Sequence, residues 1–164
     1  MATRDATTTD PMITSKVERE RLIFPGLQPF YDALAPYMYP LFRFTVGATL
    51  IPHGVAKLMN GVDKFAPSMA RLGIAPATEV AYFIIFLEIV GGACVAIGLL
   101  TRLFAAAVAI EFAVITFAVH LPIAWFAGQR GGEYPLMWGI FFLCIALRGG
   151  GKLSVDCDVL KREL

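Results

Sequence analysis

The sequence has little charge and none of the usual signatures of catalysis. Only 16% of its 164 residues are Asp, Glu, Lys or Arg, while 57% are apolar; a soluble domain carries about 25% charged and about 45–50% apolar residues. A net charge of +1 supplies no electrostatic footprint for nucleic acid. Cysteine is scarce: Cys94, Cys144 and Cys157 are odd in number, scattered, and form no Cys-x-x-Cys. Neither a disulfide framework nor a zinc cluster is therefore expected. Cys94 and Cys144 lie in apolar runs, where a thiol is ordinarily a small hydrophobe. There is no phosphate loop, no His-x-x-Glu-His and no Cys-x-x-Cys-His, so no metal site is expected and no motif dictates a cofactor. The first 35 residues hold no compact apolar core, so a cleavable signal peptide is not expected and the first apolar run should act as the membrane signal itself.

What the chain does have is apolar sequence gathered into blocks, the mark of a polytopic membrane protein. Residues 1–21 are polar and Thr-rich and read as a disordered cytoplasmic tail. Residues 22–40 mix Pro25, Pro29, Pro36 and Pro40 with Phe24, Phe30, Tyr31, Tyr37 and Tyr39. The prolines argue against a long regular helix and the aromatics suit the headgroup layer, which predicts an interfacial segment. Residues 41–148 form the transmembrane domain, with spans over roughly 38–59, 79–99, 103–126 and 134–148. Between the first two, 62–72 is amphipathic, with Phe65, Met69 and Leu72 turned toward the membrane. Between the last two, GQRGGEY reads as a flexible loop. Residues 149–164 form a cytoplasmic C-terminal tail. The expected fold is an all-α membrane protein: an antiparallel four-helix transmembrane bundle with interfacial amphipathic segments. Placing both termini inside puts nine Lys and Arg on the cytoplasmic side and four outside, counting loops and tails. That asymmetry favours both ends in the cytoplasm.

The run 41–57, LFRFTVGATLIPHGVAK, is long enough for a bilayer yet carries Arg43, His53 and Lys57. On a helix Lys57 and His53 fall about 40° and about 80° from Arg43, so the three share one arc. Charge in hydrocarbon is costly and should face a bundle interior, a partner or an aqueous cavity. The later spans add Glu88, Glu111 and His120. Counted as depth from the outer ends of the spans, the groups form two layers. An outer layer holds His53, Lys57, Glu88 and His120, with Pro52 and Pro122 interrupting two helices nearby. An inner layer holds Arg43 and Glu111, which can pair across adjacent helices as a structural ion pair. The outer layer predicts a periplasm-side polar pocket. Its donors and proton-carrying groups suit a quinone or another small redox ligand; a haem between two His, or a metal, would use the same groups. A hydrogen-bond network that only locks the bundle is the plain structural alternative.

Four stretches, RFTVGATLIPHGVAKL, LEIVGGACVAIGLLTRL, GGEYPLMWG and GGGKLSVD, together resemble the DoxX family in order and spacing over residues 38–158. The resemblance implies a small four-helix protein of the bacterial inner membrane, linked to redox metabolism. The family's name comes from a subunit of a thiosulfate:quinone oxidoreductase, and other members are associated with thiol or oxidative-stress systems. It also implies that Arg43, His53, Gly54, Lys57, Glu88, Gly92, Arg102, Ser154 and Asp156 occupy characteristic positions. Two functions are expected from the residues and the resemblance together. One is a membrane subunit of a quinone-linked oxidoreductase, working with other membrane or periplasmic redox subunits or as a homo-oligomer. The other is a non-catalytic accessory subunit that anchors or stabilises a larger membrane redox complex.

Overall fold

The computed structural model describes residues 22–162. The tail expected over 1–21 lies outside the described residues. All regular structure is helical, and no strand occurs among the described residues. The chain divides into two units, one ending at Phe42 and the other beginning at Arg43.

In the first unit a short turn, Pro25–Leu27, leads into helix α1, Gln28–Asn60. The prolines do not break α1, contrary to the expected irregular segment over 22–40. Pro29 falls in the first turn, where an N–H has no partner to lose. Pro36 and Pro40 lie within about 40° of Pro29 around the helix, so the missing donors share one stripe and the rest of the ladder survives. Pro52 is absorbed in the same helix, so no interruption separates it from His53. Phe24, Phe30, Tyr37 and Met38 are exposed.

In the second unit the remainder of α1 is followed by α2 (Val62–Arg71), α3 (Ala77–Ile97), α4 (Thr101–His120) and α5 (Glu133–Arg148). Two helices, α3 with 21 residues and α4 with 20, are long and apolar enough to cross a membrane. Their exposed side chains form apolar stripes at helical spacing. Tyr82, Phe83, Phe86 and Val90 mark α3; Leu103, Ile110, Val114 and Phe117 mark α4; Met137, Ile140, Leu143 and Leu147 mark α5. Water penalises such surface and lipid tails do not, which suits the stripes of α3 and α4, the two membrane-capable helices, to a bilayer.

The opposite faces pack. Gly47 of α1 meets Gly92 and Ala96 of α3 so closely that a Cβ at Gly47 would lie 2.5 Å from the Ala96 nitrogen and the Gly92 oxygen. One turn-pair along, a Cβ at Gly54 would strike Glu88 and Ile89. Small residues spaced this way let two helix backbones touch where no hydrophobic effect drives them together. Helix α5 lies along α4, with Ala105, Val108, Phe142 and Ile145 fully buried and the Phe112 ring stacked on Trp138 and Phe142.

Helix α2 corrects a second expectation. Val62, Ala66 and Met69 are buried against Ala81 and Ile85 of α3, with Phe65 and Leu72 half-buried beside them. The amphipathic face therefore packs on protein, not on the membrane.

The residues after α5 were expected to form a simple tail, but most of them close one end of the unit. The α3–α4 turn places Gly98 and Leu100 in left-handed conformations, leaving the first amides of α4 without a local cap because Leu100 has no acceptor. Asp156 supplies one from afar. Its carboxylate accepts from the amides of Leu100 (2.7 Å) and Thr101 (2.9 Å) and from the Thr101 hydroxyl (2.7 Å). A negative charge there also complements the α4 dipole. Arg102, one residue on, donates to the carbonyls of Ala146, Leu147 and Arg148 at the end of α5. Arg43 donates to the carbonyls of Ala96, Gly150 and Leu153. Each arginine satisfies orphan acceptors at a helix C-terminus or in the glycine turn that follows.

Candidate functional site: a polar cavity with aromatic walls

A cavity of about 430 Å³ opens within the second unit. Helix α1 contributes Thr49, Leu50, His53 and Lys57, α3 contributes Glu88, and α4 contributes Phe112, Ile115 and His120. Tyr134, Pro135 and Trp138 of α5 form the far wall, and Arg130 and Gly131 come from the α4–α5 connection. The structure thus brings His53, Lys57, Glu88 and His120 to one cavity.

Two helices are irregular at the cavity: α4 beside His120 and Pro122, as expected, and α3, which has no proline there, in place of α1. Helix α3 widens into a π turn at Leu87–Gly91, around Glu88, and α4 does so over Ile115–His120. Such turns commonly mark functional sites, because an inserted residue frees backbone groups and re-aims side chains. On a regular helix Glu111 and His120 would face about 180° apart. The π turn rotates less per residue, which lets His120 reach the cavity while Glu111 stays near Glu88.

Lys57 and Glu88 form an ion pair through Glu88 Oε1, with the ammonium also 5.0 Å from the centre of the Phe65 ring. Glu88 is buried, and its second oxygen, Oε2, has no hydrogen-bond partner among the described residues. From α4, Glu111 faces Glu88 and also senses Lys57; its oxygens accept no hydrogen bond of ordinary geometry among the described residues. This corrects the expected Arg43–Glu111 pair. Equal depth brought the two together on paper, but Arg43 lies beside the end of α3, where unpaired carbonyls compete for its donors. Glu111 is a neighbour of Glu88 and does not itself line the cavity.

Sequence reasoning missed Arg130, Tyr134 and Trp138. GQRGGEY was read as flexible, yet the connection is tied down. Gly131 and Gly132 donate to the carbonyls of Phe126 and Ala124, both at 3.0 Å, the Ala127 amide donates to Glu133 at 3.1 Å, and His120 Nδ1 lies 2.6 Å from the Arg130 carbonyl oxygen. The usable signal was Tyr134 and Trp138, four apart on the first turns of a helix and so on one face. The Trp138 Nε1 donor is buried without a partner among the described residues. Cys94, Cys144 and Cys157 are free thiols and do not line the cavity. Among the described residues no group of three or more His, Cys, Asp or Glu is placed to hold a metal ion.

An all-helical chain with two membrane-capable helices, exposed apolar stripes and a polar cavity between its helices is a helical membrane protein of small size. Residues 39–121, just over half of the chain, match the DoxX family. The chain belongs to the DoxX family, a membrane-associated family often linked to oxidoreductase-related roles. It is also similar to a protein of Haemophilus influenzae described as uncharacterized, with 28% identity over 130 residues, covering 77% of this chain and 94% of that protein. No solved structure matches it.

Proposed function

We propose that the chain is a membrane subunit of a quinone-linked oxidoreductase, folded as an antiparallel four-helix bundle in the bacterial inner membrane. In this reading α1, α3, α4 and α5 are the spans, both termini are cytoplasmic, and the cavity opens toward the periplasm. The observation that carries the proposal is the convergence of His53, Lys57, Glu88 and His120, from three helices, on one aromatic-walled cavity. A quinone headgroup fits the cavity: it is a planar ring for the Phe112–Trp138 wall, with polar oxygens for the Lys57 ammonium and the His53 imidazole. When bound, a quinone supplies two-electron, two-proton redox capacity. The chain's own residues orient the ring, exclude lipid from its oxygens and hold charge beside them.

Purification from native membranes in mild detergent, followed by mass spectrometry of the intact assembly, tests this reading. Wild-type protein should retain quinone. Glu88→Gln, which strips Lys57 of its counter-charge, and His53→Ala should each lower retention by about tenfold, the worth of one charge-assisted hydrogen bond. Unchanged retention and unchanged quinone-coupled turnover in both variants would remove the proposal.

A second reading rests on the exposed aromatic residues of the first unit, Phe24, Phe30 and Tyr37. It makes the chain an accessory subunit whose amino-terminal arm anchors a larger redox complex. Deleting residues 1–35 should then abolish co-purification of the partner subunits while the helical unit still folds. A normal yield of complex after the deletion would count against it.

A further inference from the structure

The hydrogen-bond polarity of the cavity distinguishes the two redox forms of its ligand. Resting on the quinone reading above, we propose that the cavity binds the hydroquinone form in preference to the quinone, with His120 Nε2 accepting a phenolic hydroxyl.

The argument starts at the backbone. A carbonyl oxygen only accepts, so the contact of 2.6 Å between His120 Nδ1 and the Arg130 carbonyl requires the proton to sit on Nδ1. In a neutral imidazole that leaves Nε2 as an acceptor alone. Nε2 bonds to nothing among the described residues, and His120 lines the cavity. The tautomer is held from outside the ring, because the amides of Gly131 and Gly132 pin the loop that presents the Arg130 carbonyl. Reversing the tautomer would set two lone pairs against each other at that carbonyl.

The rest of the cavity is mixed: Trp138 Nε1 is a buried donor without a partner among the described residues, and either form of the ring can accept from it. Lys57 is committed to Glu88, whose Oε2 remains without a partner. A quinone brings two acceptors and no donor. Its oxygens can take protons from Lys57 or Trp138, but an oxygen placed at His120 meets the lone pair of Nε2. A hydroquinone brings two O–H donors on the same ring. It gives one to Nε2 and keeps its oxygens available to Lys57, with the ring against Phe112 and Trp138 in either form. The selection is one of binding alone; no electron or proton transfer is involved.

The test is calorimetric titration of the full chain in lipid nanodiscs under anaerobic conditions, using decylubiquinol and decylubiquinone and subtracting uptake by empty nanodiscs. The reduced form should bind about tenfold tighter, as expected for one net hydrogen bond gained and one repulsive contact avoided. His120→Ala should erase that preference by weakening the reduced form. His120→Gln, whose amide can turn to donate or accept, should bind both forms alike. Equal affinities in the wild type, or a preference that survives in both variants, would overturn the inference while leaving the quinone reading intact. If neither form binds, the quinone reading itself fails and the inference fails with it. Should the variants not assemble, the wild-type comparison decides alone.

Discussion

Asp156→Ala is expected to destabilise the helical unit by about 3–5 kcal/mol. Asp156 is 3% exposed and accepts from two backbone amides and one hydroxyl. Alanine removes the acceptor and leaves the Leu100 and Thr101 amides facing a dry space, each orphaned donor costing about 1–3 kcal/mol. Local sequence offers no replacement, because the residue at the start of α4 is a leucine in a left-handed conformation. Asp156→Asn should fall between wild type and alanine: the amide oxygen keeps one side of the interaction, while its NH₂ group opposes the donors on the other. Thermal unfolding in one detergent, followed by circular dichroism, measures the series. A midpoint for Asp156→Ala within error of the wild type would show that the carboxylate is not the cap of α4.

Substitution of Gly47 should also be destabilising. A Cβ there lies 2.5 Å from the Ala96 nitrogen and the Gly92 oxygen, both backbone atoms that cannot swing aside. Gly47→Ala should therefore cost about 1–3 kcal/mol, the usual range for overpacking. Gly47→Leu should drive α1 and α3 apart. The consequence reaches the cavity, because the Lys57–Glu88 pair spans the same two helices. Loss of ligand retention should accompany the loss of stability in Gly47→Leu, with both measured on one preparation. Gly128→Ala is the control: a Cβ there meets nothing within 4 Å, so it should stay within about 0.5 kcal/mol of wild type. If Gly47→Leu matched that control, the close approach of α1 to α3 would not be what holds them.

The helical class and the rough positions of the apolar helices were legible in the sequence because they rest on run length and composition. The cavity residues were legible for a similar reason: His53, Lys57, Glu88 and His120 are expensive in hydrocarbon, and expense marks a residue whatever its partner. Partnership was not legible. Pairing Arg43 with Glu111 by depth ignored the carbonyls left open at the end of α3, which depth counting does not see. The π turn at Leu87–Gly91 was equally invisible, since an inserted residue leaves no compositional trace, while the prolines that did leave one produced no break in α1. Arg130 was passed over because glycines suggest mobility, although hydrogen bonds within the connection hold it in place.

The position of Asp156 in the chain has a bearing on biosynthesis. Its carboxylate is translated 55 residues after the Thr101 amide that it caps, and after the last residue of every long helix of the unit. Until then the start of α4 lacks its final partner. A chain cut short of Asp156 therefore keeps the first amides of α4 unsatisfied, however well its long helices pack.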